Sequence, residues 1–115
     1  MNLEGLESRL AVLEDIEAIK QLHFKYVNSL VNTDWEALVD CFAPNGMVDI
    51  NAGTAAGQEQ IYDLFAKEIS KIHIGVEGLF VTHPIISVTG DSAQGKWLLF
   101  MMFAQPRKFD PKPHI

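Results

Sequence analysis

His23 and Tyr26 stand three residues apart on one predicted helix, so their side chains share a face. An imidazole beside a phenol could pass a proton to or from a carbonyl or hydroxyl near neutral pH. His83, on a predicted strand, is a third candidate for the same chemistry. Each has a plainer reading: Tyr26 as a core tyrosine bonded to backbone, His23 as a satisfied buried histidine, His83 as a strand histidine paired with backbone or water. By period two His83 shares a face with Leu79 and Val81, yet lies about 13 Å along the strand from Leu79. His73 and His114 fall at a helix end and in the tail, and no role is assigned to them. No histidine pair or carboxylate cluster has metal-ligand spacing, so no metal site is expected. Gly53-Thr54-Ala55-Ala56-Gly57 lacks the lysine of a phosphate loop, and Glu59 just beyond it would repel an anion. No cofactor is expected.

The elements that must position these residues come from one 115-residue chain, one domain by length. Its composition, 48% hydrophobic and 21% charged, is that of a globular protein and excludes disorder or a long coiled coil. The net charge of −6 makes nucleic acid and anionic membrane poor partners. The single cysteine, Cys41, excludes an intramolecular disulfide. The opening segment lacks the basic start and apolar block of a signal peptide, and residues 97 to 104 form an apolar run too short for a membrane helix. A soluble, cytoplasmic protein is expected.

Leu3, Leu6, Leu10 and Leu13 are spaced 3-4-3, and the stripe continues through Ile16, Ile19, His23, Tyr26, Val27 and Leu30. The spacing predicts a helix over residues 3 to 31, with 1 to 13 as an arm packed on its own domain or on a neighbouring subunit. Thr33 to Glu36 fits a capping box, with Thr33 as the cap of a second helix from Trp35 to Phe42. Met47 to Ile50 reads as a strand, 51 to 57 as a loop, and 58 to 72 as a helix. Leu79 to Val88 and about 93 to 104 read as two strands joined at Thr89-Gly90-Asp91-Ser92. A two- or a three-residue turn there decides whether Phe100 or Met101 shares a face with Leu79. Residues 105 to 115 hold three prolines and read as an irregular tail. This order predicts an α+β fold with an antiparallel sheet.

Several short motifs, in order, resemble a known family. They are the run Asp15 to Leu22 leading to Tyr26, then Asp34-Trp35-Glu36-Ala37-Leu38 and Phe42-Ala43-Pro44. His83-Pro84-Ile85-Ile86, Gly90-Asp91-Ser92-Ala93 and Gly95-Lys96-Trp97 follow. Over residues 10 to 104 the chain resembles the SnoaL-like branch of the nuclear-transport-factor-two-like superfamily. Within that branch it resembles scytalone dehydratase and the bile-acid 7α-dehydratases. The resemblance implies a cone: a curved antiparallel or mixed sheet wrapped around N-terminal helices, with an apolar pocket inside. Enzymes and non-catalytic binding modules share that fold, so it names no activity.

The chain departs from the dehydratases it resembles. Tyr26 matches their tyrosine, but Val31, Leu79 and Met101 stand where they carry an aspartate, a histidine and a second aspartate. Their last two strands and a strand-borne arginine fall beyond residue 115, so the chain is expected to be a short form with an open pocket wall or a swapped segment. The residues favour a pocket for a small hydrophobic molecule, lined by Trp35, Phe42, Leu79, Phe100 or Met101, and Phe103, with Tyr26 as its main polar group. The alternative is a lyase or isomerase without cofactor, using Tyr26 as donor and His83 or His23 as base on a hydrophobic substrate. A strand apolar on both alternations also predicts a homo-oligomer, most simply a dimer.

Overall fold

The computed structural model describes residues 2–71 and 78–102. Helix α1 runs from Leu3 to Val31, the span the leucine spacing predicts. Asn2 caps its start, accepting from the Gly5 amide at 2.7 Å, with Glu4 in the first turn favourable to the helix dipole.

Its other end corrects the capping expectation. The Asp34 amide donates to the Ser29 carbonyl at 2.9 Å, and the Thr33 amide donates to the Leu30 carbonyl at 3.2 Å. These two bonds form a Schellman closure, and Thr33 is its left-handed residue, at φ 54°. A residue so placed cannot also cap the next helix. Asp34 does so instead, accepting from the Ala37 amide at 3.2 Å. Helix α2 is accordingly Trp35–Val39, shorter than expected, and tightens through Cys41 and Phe42, whose amides reach back three residues. Lys25 on α1 and Asp40 pair at 2.7 Å, an exposed contact that solvent screens.

Strands β1 (Met47–Ile50) and β2 (Gly53–Ala56) form an antiparallel hairpin over the turn Asn51-Ala52. The expected loop therefore contains a strand. Gly53-Thr54-Ala55-Ala56 has no bulky alternation to signal one. Its single buried side chain, Ala55, sits opposite buried Val48. Helix α3 (Gln58–Asp63) continues as a π turn over Leu64–Glu68 and a 3-10 turn over Ile69–Lys71. Gln58 Nε2 donates to the Phe42 carbonyl at 2.8 Å, which ties this helix to the end of α2.

The core lies between α1, α2, the first hairpin and α3: Leu30, Leu38, Val48, Ala55, Ile61, Leu64, Phe65 and Ile69. Phe65, Leu38 and Ile61 are the largest fully buried side chains. Each adds about 1.5–3 kcal/mol of burial.

Strands β3 (Gly78–Thr89) and β4 (Ser92–Met102) form a long antiparallel hairpin closed by Gly90-Asp91, with Gly90 at φ 58°. That two-residue turn fixes the open register: Leu79 pairs with Met101 and Phe80 with Phe100. The ladder slips between Thr82 and Ile85, where β3 carries one extra residue opposite Trp97. His83 takes φ 55° in that bulge, and Pro84, which has no N–H to donate, follows it. The molecule is thus α+β, with N-terminal helices and, among the described residues, antiparallel strands in two separate hairpins. None of the described helices is long and apolar enough to cross a membrane.

Candidate functional site

One face of the long hairpin and the inner stripe of α1 enclose a cavity of about 530 Å³. From β3 and β4 come Leu79, Val81, Trp97, Leu99 and Met101, alternate residues of a pleated pair. From α1 come His23, Tyr26, Val27 and Leu30, one face of a 3.6-residue helix. Phe65 and Ile69 close the base, and Ile50, Asn51 and Ala52 of the first hairpin form a corner. A second cavity of about 250 Å³ adjoins it, between Ile19, Leu22, Cys41 and Phe42. His23, Tyr26 and Trp97 line both cavities and form the wall between them.

The polar groups are few and electrically neutral. Burial raises the Tyr26 pKa above its ordinary value, with the nearby Cys41 adding to the same direction, so the phenol keeps its proton. Burial lowers the His23 pKa, favouring neutral imidazole. Burial also raises the Cys41 pKa, and its Sγ donates weakly to the Ala37 carbonyl at 3.5 Å, so it stays a thiol rather than a nucleophile. Tyr26 sits in an aromatic chain. Its ring centroid is 6.0 Å from His23, and it meets Phe42 and Phe65 edge-on at 5.9 and 6.2 Å.

The predicted site residues separate accordingly. The structure brings Tyr26, His23, Leu79 and Met101 to the larger cavity, and Phe42 to the smaller one. Trp35 is half-buried against Phe65, centroids 6.1 Å apart, and packs on the core without lining either cavity. Phe100 pairs with Phe80 on the alternation opposite to Met101 and is exposed. His83 is exposed and lines neither cavity, because the bulge breaks the period-two relation that put it on the face of Leu79. Phe103 lies outside the described residues. Trp97 and Leu99 were the lining residues least visible in the sequence. The period-two series 97, 99, 101 would have found both, once the hairpin turn was fixed at two residues. Among the described residues no group of three or more histidine, cysteine or acidic side chains could hold a metal ion.

The profile of a family described as the SnoaL-like domain matches residues 11–114. Among solved structures, an NTF2-like protein with a cystatin-like fold from Novosphingobium aromaticivorans is similar, with a TM-score of 0.77 and 24% sequence identity. That likeness covers 90% of this chain and 72% of the other, and at such identity it speaks for the fold alone. No curated protein matches.

Proposed function

The chain belongs to the SnoaL-like domain family, and from that premise we propose that it holds a small, uncharged, hydrophobic molecule in the larger cavity, oriented by Tyr26. The observation that carries this reading is the lining. No Lys, Arg, Asp or Glu stands among the described residues around a space of about 530 Å³, which lies within the usual range for small-molecule sites. Apolar area supplies affinity there, while the hydroxyl of the half-buried Tyr26 fixes orientation. Leu79 and Met101, at two positions where the dehydratases resembled carry ionisable groups, keep this space apolar.

The test is a thermal-shift panel of steroids, polyketides and aromatic acids. A neutral member present at 100 times its dissociation constant should add about 2.7 kcal/mol of stability. Tyr26→Phe should weaken that ligand by about 1 kcal/mol, roughly five-fold in affinity. Preference for the acids over neutral members of equal size would overturn the reading.

One observation favours a second reading, a lyase or isomerase. His23, held neutral as a general base must be, shares both cavities with the protonated Tyr26. His23→Ala should then cut turnover of the best ligand at least about 100-fold, while His83→Ala, at a residue that lines neither cavity, leaves it unchanged. The proposal extends to self-association as a homodimer, supported by the leucines that α1 leaves exposed.

A further inference from the structure

Trp97 and His23 are packed in a way that leaves both dissatisfied. The indole lies flat on the imidazole, with ring centroids 3.9 Å apart and planes 10° from parallel. Trp97 Nε1 and His23 Nδ1 are both buried, and neither has a hydrogen-bond partner among the described residues. An indole N–H can only donate, and a buried donor without an acceptor keeps its full desolvation cost. The stack sits on Gly95, two residues back on the same strand face. A Cβ at position 95 would stand 2.5 Å from Trp97 Cη2 and 2.6 Å from Cζ3. The ring folds down only because residue 95 has no side chain. It also lies opposite the β3 bulge, where the ladder is interrupted.

We propose that the His23–Trp97 stack is the recognition element of the site: an uncharged apolar ligand bearing a carbonyl oxygen parts the two rings and accepts the Trp97 Nε1–H. This rests on the ligand-binding reading above and adds the chemistry of the ligand's polar end. The ligand must offer an acceptor, because Trp97 can only donate and the Tyr26 hydroxyl in the same wall keeps its proton. A carboxylate fits poorly, since no Lys or Arg stands among the described lining residues of either cavity. Parting the rings gives Trp97 Nε1 its acceptor and uncovers His23 Nδ1, so the ligand's oxygen is met by relief of an existing cost as well as by a new bond.

Three probes of one ring system separate the possibilities: 2-acetylnaphthalene, 2-ethylnaphthalene, which has nearly the same shape without the oxygen, and 2-naphthoate. Affinities are measured by titration calorimetry. The Trp97 indole N–H is followed by proton–nitrogen correlation spectra, with Trp35→Phe identifying its peak. The ketone should bind about ten-fold more tightly than the hydrocarbon and the carboxylate more weakly than the ketone. The Trp97 indole proton should move downfield with the ketone alone. In Trp97→Phe the ketone and hydrocarbon should fall within about two-fold of each other. Equal affinities in the wild-type protein, a ten-fold preference that survives Trp97→Phe, or an indole proton that responds alike to both would overturn the proposal while leaving the apolar-cavity reading standing. Failure of all three probes to bind would sink both. Should Trp97→Phe fail to fold, the indole shift and the ketone-to-hydrocarbon ratio in the wild-type protein still decide.

Discussion

Thr33 holds a left-handed backbone that a β-branched residue tolerates poorly, at a cost of about 1–2 kcal/mol. It stays there because the two closing hydrogen bonds of α1 require that conformation. Thr33→Gly removes the strain but adds unfolded-state entropy, so a net gain of about 0.5–1 kcal/mol is expected in denaturant unfolding. A destabilised variant would mean that Thr33 contributes something beyond its backbone. At Gly95 the expectation runs the other way. Gly95→Ala should push the indole off His23 and shift the Trp97 indole resonance without any ligand, and an unchanged peak would contradict the packing described. The residue scale was partly legible. His23 and Tyr26 could be paired from a three-residue spacing alone, and the structure does bring them together. Trp97 could not, because its position against His23 depends on a hairpin register and on a bulge that local sequence does not set.

At the scale of elements, α1 was legible from its leucines and isoleucines, since the 3-4-3 leucine seam and the stripe from Ile16 to Leu30 each repeat at helical spacing, although they face different ways. Strand β2 was not, because its pairing with β1 is decided by partner and turn rather than by Gly53-Thr54-Ala55-Ala56 itself. The β3 bulge was missed for a related reason: an extra residue in one strand is visible only against the other strand's count. The packing of α1 on the hairpin should depend on pH through His23, which faces Trp97 and Tyr26. Burial depresses its folded-state pKa below the ordinary value of 6.5, so the unfolded chain binds the proton more readily. Stability should be full above about pH 6.5 and fall as the pH drops toward the lower folded value. Asp40, whose pKa is lowered by its hydrogen bond to Lys25, loses its contribution only in the more acidic carboxylate range, so the two windows separate. Denaturation midpoints from pH 7.5 to 5 should show the loss in the wild-type protein and a reduced slope in His23→Gln. An unchanged slope in that variant would place the dependence elsewhere.

At the scale of the whole molecule, an uncovered arm is the reason to expect a second copy against it. Leu3, Leu6, Leu10 and Leu13 are 70%, 50%, 54% and 63% exposed. At about 100° per residue, the centre of their seam is turned roughly 130° from the centre of the stripe Ile16, Ile19, His23, Tyr26, Val27 and Leu30 that faces the body. A straight α1 therefore cannot lay those leucines on the core its later turns cover, and the sequence reading of one continuous stripe is corrected on that point. Four leucines at coiled-coil spacing are a narrow seam suited to another helix, and the simplest source is the same arm of a second chain. Two heptads are marginal as an isolated pair, so the arm is expected to act with other apolar surface such as Leu98 and Phe100 on the outer face of the hairpin. Light scattering at micromolar concentration should give a dimeric mass. Leu6→Glu combined with Leu10→Glu should give a monomer with unchanged helical circular dichroism, because both side chains are solvent-facing in the single chain. A monomeric wild-type mass would remove the second copy, and a dimer that survives the double substitution would move the interface from the arm to the sheet.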